Sequence, residues 1–260
     1  MTDRAANRRQ LKADRKAIAH GLDVTGRDNG QIASLMRVLH DQTRQALREG
    51  SVSPLMEFVY ESFTLSERRV ADAPVACAKG CSHCCRIWVS ANAAEIIYLV
   101  KSLDDKQLPR VQFSVHEAFD VTKGKTFEER GRMVTPCPLL VGDLCGIHPV
   151  RPLVCRSGAS ANAQICERAF RQLTFEVIPI PAVYVSMRLA YTLALAGALR
   201  RAGLIYNVYE YNDALTKAFA TPDAESEWLA GKDPFRGVQH DTGNIFDNPA
   251  YQQLYDAAFA

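Results

Sequence analysis

The chain has 260 residues, 47% hydrophobic and 23% charged, with a net charge of +2. That length is near the upper size for one hydrophobic core, and the composition is that of a globule, which excludes a disordered chain. So small a net charge excludes a global attraction to nucleic acid.

The charge is unevenly spread. Residues 1–27 form a basic segment, with Arg4, Arg8, Arg9, Lys12, Arg15 and Lys16 against Asp3 and Asp14. A solvated, partly flexible terminus is the expectation there, ahead of a contact with RNA or an acidic partner. No apolar leader stands in the first thirty residues. The longest uncharged apolar run, Leu189 to Leu199, falls short of the roughly 20 residues a bilayer span needs. A soluble, cytoplasmic chain with no membrane partner is therefore expected. In a reducing compartment its eight cysteines point to metal or redox chemistry rather than disulfides.

From residue 28 to 232 the pattern is that of a helical domain. Ile32, Leu35, Met36, Leu39, Thr43, Ala46 and Leu47 recur at helical spacing, and Gly50 ends that helix. Ser53 is placed to cap a second, with Pro54 at its first position and Val59 and Phe63 facing inward. Ser90 is placed to cap a helix through Glu95, Ile96, Leu99 and Val100. Another follows Pro109, with Val111, Val115 and Ala118 on one stripe. Residues 123–132 are polar and read as a surface loop. Leu189, Leu193, Ala196 and Leu199 mark a later stripe, ending in Arg200 and Arg201 before Gly203. Asn207 to Phe219 reads as helix, and a short one starts at Thr221 and Pro222. Tyr206, Tyr209 and Tyr211 suit packing or the lining of a pocket. The tail, residues 233–260, is acidic and aromatic without a clear period.

Two cysteine groups interrupt these helices. The first is Cys77-Ala-Lys-Gly-Cys81-Ser-His-Cys84-Cys85, whose spacing lets thiolates turn inward from a loop, with Gly80 for the tight turn. The second holds Cys137, Cys145 and Cys155 among Pro136, Pro138, Pro149 and Pro152, with Cys166 further on. Adjacent Cys84 and Cys85 do not easily bind one zinc together, so a ligand from the far group is required and would clip the loops together. The fold class expected is mainly α, with irregular cysteine-rich metal-binding loops over residues 77–166 packed between helices.

The spacing of the first group is also that of the radical-SAM cluster loop, but no strand–helix alternation for a barrel surrounds it. The two groups together resemble the YkgJ-type cysteine-cluster family of zinc- or iron-chelating domains. The resemblance rests on Cys77, Cys81, Cys84 and Cys85; Ser90 and Glu95; Cys137, Pro138 and Leu140; and Cys145, Ile147, His148, Arg151, Pro152, Cys155 and Arg156. His148 stands where tyrosine is commoner, and Cys166 falls outside the mapped pattern. The resemblance implies metal binding by the seven cysteines from Cys77 to Cys155. Flagellin lysine N-methylases carry a similar pattern, associated with an iron–sulfur cluster. No glycine-rich strand-to-helix loop for S-adenosylmethionine accompanies it here.

Four thiolates leave a centre charged −2 around zinc or an oxidised four-iron cluster, which needs cations or N–H donors nearby. Arg151 and Arg156 flank Cys155 and are expected to donate to a ligand sulfur or its backbone, the plainer role being an ion pair with an acid such as Glu95. A surplus of thiolates over the needs of one zinc favours an iron–sulfur cluster, expected as 4Fe-4S. The alternatives are a zinc-stabilised helical interaction module with a protein partner, a lysine N-methylase-like enzyme, and thiol redox chemistry at Cys84–Cys85. Whether the protein is an enzyme is left open by the sequence.

Overall fold

The computed structural model describes residues 4–24, 28–174, 176–240 and 245–260. It is mainly helical, with two small two-stranded sheets and with the cysteines in or beside irregular loops. The basic start of the chain forms α1 (Arg4–Ala17). It rests on α2 (Asn29–Glu49), which the Asp28 carboxylate caps by accepting from the N–H groups of Gly30 and Gln31, and which Gly50 closes in the left-handed conformation. α3 (Ser53–Arg69) has Val52 at its cap with no side-chain cap bond, so Ser53 is its first helical residue.

The core is built around α2 and α9 (Ala182–Arg201). Gly197 sets their distance: a Cβ there would lie 2.5 Å from Met36 Sδ and 2.9 Å from the Tyr251 hydroxyl. The buried face of α9 runs through Met187, Ala190, Tyr191, Ala194, Leu195 and Ala198, and the expected stripe is corrected at Leu189, which is 54% exposed. By length and apolarity α9 passes the test for a membrane span, yet half of it is buried within the fold, as a core helix is. The aperiodic tail carries a helix that the sequence reading lacked, α12 (Pro249–Phe259), capped by Asn248 and laid on α2. Arg37 ties both ends of the chain to α2, donating to Asp14 twice at 2.7 Å and to the Ala258 carbonyl at 3.2 Å.

A second layer holds the cysteine loops. Ser90 begins a strand, β1 (Ser90–Asn92), rather than a helix, and Asn92 is the cap of α4 (Ala93–Lys101), closed by a capping box with Glu95. α5 (Gln107–Thr122) starts just before Pro109. The expected loop at 123–132 contains α6 (Phe127–Gly131), with its own Thr126–Glu129 capping box. Strands β2 (Leu140–Val141) and β3 (Leu144–Cys145) form a hairpin within the second cysteine group, followed by α7 (Leu153–Arg156) and α8 (Ala163–Arg171). β4 (Val208–Glu210) pairs antiparallel with β1, Ser90 opposite Glu210, so the helix expected from Asn207 begins only at Tyr211 as α10 (Tyr211–Phe219). The short α11 (Ala224–Leu229) follows, with Trp228 fully buried.

Candidate metal centre

The first cysteine loop has little regular structure and is shaped by its own backbone bonds. Gly80 takes a φ of 89°, and the N–H of Cys81 donates to the Ala78 carbonyl at 2.9 Å. The N–H of Cys137 donates to the carbonyl of Cys85 at 2.7 Å, so the two groups, distant in sequence, are joined at the backbone. In the second group the β2–β3 hairpin sets Cys145 opposite Leu140. Cys155 lies on α7, whose first N–H, that of Leu153, donates to Glu95 Oε1 at 2.7 Å. Glu95 Oε2 accepts from the Asn92 backbone at 3.0 Å and from its side chain at 2.7 Å. A buried carboxylate thus holds the turn that presents Cys155.

Several sulfurs already face N–H donors. The Leu139 N–H points at the Cys137 thiol and the Ile147 N–H at the Cys145 thiol. The Ser160 N–H reaches Cys77 Sγ at 3.3 Å. Such donors favour the thiolate over the thiol, which is what a metal-bound sulfur requires. Burial works the other way and dominates. It raises the thiols of Cys77, Cys145, Cys155 and Cys166, and pushes Cys137 up to about 12. The neighbouring Cys85 thiol, and then burial, raise Cys84. Burial without a compensating cation favours the protonated thiol at these positions. A metal must displace their protons to bind.

Cys166, the outlier in the sequence, is buried on α8. Ser160 links it to the first loop: its N–H reaches Cys77, its hydroxyl contacts the Cys166 thiol, and its carbonyl accepts from Ala76 at 2.7 Å. The end of α8 is pinned to the same loop by Arg171, which donates to His83 Nδ1 at 3.0 Å and Ser82 Oγ at 3.1 Å. Cys77 and Cys166 both feel the charges of Cys81 and Cys84. Cys155 feels those of Cys137, Cys84 and Cys145. The thiols therefore fall into two sets, with Cys84 between them. Among the described residues no three cysteine, histidine or acidic side chains converge closely enough to hold a single ion.

Residues 76–172 match the sequence pattern of the CxxCxxCC family, described as a "Putative zinc- or iron-chelating domain". This segment is similar to that family's domain. No curated protein and no solved structure matches the chain. The matched segment takes in both cysteine groups and extends past Cys166 to the end of α8.

Its arginines divide the work. Arg151 is the cation in the field of Cys84, Cys145 and Cys155, and its Nε is buried with no hydrogen-bond partner. An orphaned buried guanidinium nitrogen beside this many thiols fits an anionic centre. Arg156 turns away from the sulfurs. It donates to Thr64 at 2.9 Å, to Glu67 at 3.2 Å and to the Pro149 carbonyl at 3.0 Å, and its guanidinium lies 5.3 Å from the centre of the Tyr60 ring. Neither arginine pairs with Glu95, whose bonds go to backbone and Asn92. His148 is exposed, and His83 Nδ1 is occupied by Arg171. Sequence reasoning missed Ser160 and Arg171, which are not cysteines and sit on the far side of the motif, and it offered Glu95 as an ion-pair partner for the arginines rather than as the anchor of α7.

Proposed function

We propose that the chelating domain holds an iron–sulfur cluster, with Cys77, Cys81, Cys84, Cys85, Cys137, Cys145 and Cys155 as the pool of ligands and Cys166 joining the first set. The carrying observation is the number of thiols brought together. They lie in one another's field and beside N–H donors and the unpartnered Arg151 Nε, and they exceed the four that one tetrahedral zinc takes. The expected cluster is 4Fe-4S, in a reducing cytoplasm that keeps the thiols available. When bound it would supply one-electron chemistry or a Lewis-acidic iron.

In this reading the residues of the chain bind and shield. Arg151 offsets the net negative charge of the centre, and Arg156 fixes the loop behind it through Pro149. Glu95 positions Cys155, and the N–H groups of Leu139, Ile147 and Ser160 hold sulfurs in the thiolate form. Zinc is the second reading, favoured by the N–H···S turns at Cys137 and Cys145, which suit a tetrahedral zinc site equally well. Anaerobic purification followed by visible absorption and acid-labile sulfide analysis decides between them. A brown protein with sulfide matching its iron is the expected result. A colourless protein holding zinc and no sulfide overturns the cluster.

A further inference from the structure

The two cysteine groups are joined a second time, at the tip of the β2–β3 hairpin. The strands turn through Gly142, whose φ is 63°, and Asp143. The Asp143 carboxylate accepts from the Ser82 hydroxyl and, at 3.3 Å, from Arg171 Nη2. Arg171 is the last residue of α8, and the same guanidinium donates to Ser82 Oγ at 3.1 Å and to His83 Nδ1 at 3.0 Å. One side chain thus ties together the first loop between Cys81 and Cys84, the hairpin tip of the second group and the end of α8.

The two joins differ in kind. At the base of the hairpin the Cys137 N–H donates to the Cys85 carbonyl, a backbone bond that side-chain changes leave in place. The tip is held by side chains that reach water, Asp143 being 63% exposed and Arg171 36%. An exposed ion pair shifts an equilibrium by about fivefold or less on its own. Ser82 strengthens this one, since it is 1% exposed and its hydroxyl donates and accepts within the same network. A join of this strength keeps the tip closed and still lets it open without unfolding the helices around it. It also belongs to the more open part of the site: Cys77 of the same loop is exposed, and the other seven cysteines are half-buried or buried.

We propose that Arg171, Ser82 and Asp143 form a latch over the centre, and that opening of the hairpin tip is the step through which metal enters and leaves. With the latch made, the hairpin and the first loop are held together around the thiols. The inference rests on the chelating reading of these loops and on neither choice of metal.

The rate of metal loss from the full chain as purified, kept anaerobic in excess EDTA, reads the latch. Arg171→Gln is expected to release metal about tenfold faster, for the loss of charge-assisted bonds. Asp143→Asn should act by a smaller factor, because asparagine keeps an acceptor for Ser82. Both changes together should accelerate release by less than the product of the two, since they break one network. Arg168→Gln is the control: it lies one turn earlier on α8 but pairs with Glu176, at 2.7 Å, and should leave the rate unchanged. The urea midpoint of Arg171→Gln should stay near that of the wild type, which a merely structural role would not allow. Arg171→Lys keeps the charge, serves if the glutamine variant does not fold, and should give an intermediate rate. An unchanged rate in the folded Arg171 variants, or equal acceleration by Arg168→Gln, overturns the latch. Hydrogen exchange on the same samples, with metal content measured, separates this claim from the metal reading. Arg171→Gln should speed exchange at the amides of residues 140–146. A metal-free sample that shows this acceleration contradicts the chelating reading and leaves the closure standing, whereas unchanged exchange overturns the latch at any metal content.

Discussion

Replacing Glu95 by alanine removes the acceptor that joins α4 to the turn carrying Cys155. Two buried backbone donors lose their partner, the N–H of Leu153 at 2.7 Å and that of Asn92 at 3.0 Å. At about 1–3 kcal/mol for each orphaned donor, the loss sums to about 2–6 kcal/mol, before any cavity is counted. Urea unfolding should show that drop as a lower midpoint with an unchanged slope. Glu95→Gln keeps one acceptor oxygen and should lose less. Burial raises the Glu95 carboxyl above its ordinary 4.5 even though backbone donors pull it down. The folded chain thus holds this proton more tightly than the unfolded chain. The stability contributed is full below pH 4.5 and is lost as pH rises through the folded value. Glutamine has no such loss, so the difference between wild type and Glu95→Gln should move in favour of the variant as pH rises above 4.5. A Glu95→Ala change below about 1 kcal/mol would refute the anchoring role, because even one orphaned donor should cost that much.

Three further perturbations probe other parts of the account. Arg156→Gln breaks a pair in which the arginine side chain is 10% exposed and Glu67 23%; the expected destabilisation by urea unfolding is about 2–4 kcal/mol, below the full cost of a buried pair because Glu67 reaches water. Cys166→Ala is a small swap at a buried site, so the far-UV spectrum should persist while metal per chain falls; unchanged metal content excludes Cys166 as a ligand. Chelation should expose the amides of residues 137–156 to hydrogen exchange while those of α2 and α9 stay protected, whereas equal loss across the chain would show that the metal holds the whole fold.

What the sequence disclosed follows from how local each signal is. Gly50 and the apolar spacing of α2 act within one or two turns, so the helix was legible, while its cap Asp28 was not singled out. The cysteine spacing was legible for the same reason, since a ligand loop carries its chemistry in consecutive residues. Ser90 was misleading because its strand exists only through pairing with β4, more than a hundred residues on. α12 was hidden because its stability comes from docking on α2 and from Arg200 of α9, stacked 5.0 Å over Tyr255. Leu189 misplaced the face of α9, where close packing selects small residues and Gly197 over large ones. Cys166 looked isolated until Ser160 brought it to Cys77.

The central claim is that the cysteine loops hold a metal, and the metal-to-protein ratio of the anaerobically purified full chain tests it most directly. Iron or zinc retained through gel filtration at one atom or more per chain, with iron near four for a 4Fe-4S centre, is the predicted result. A folded chain that carries no iron or zinc and exposes its thiols to alkylation would contradict it.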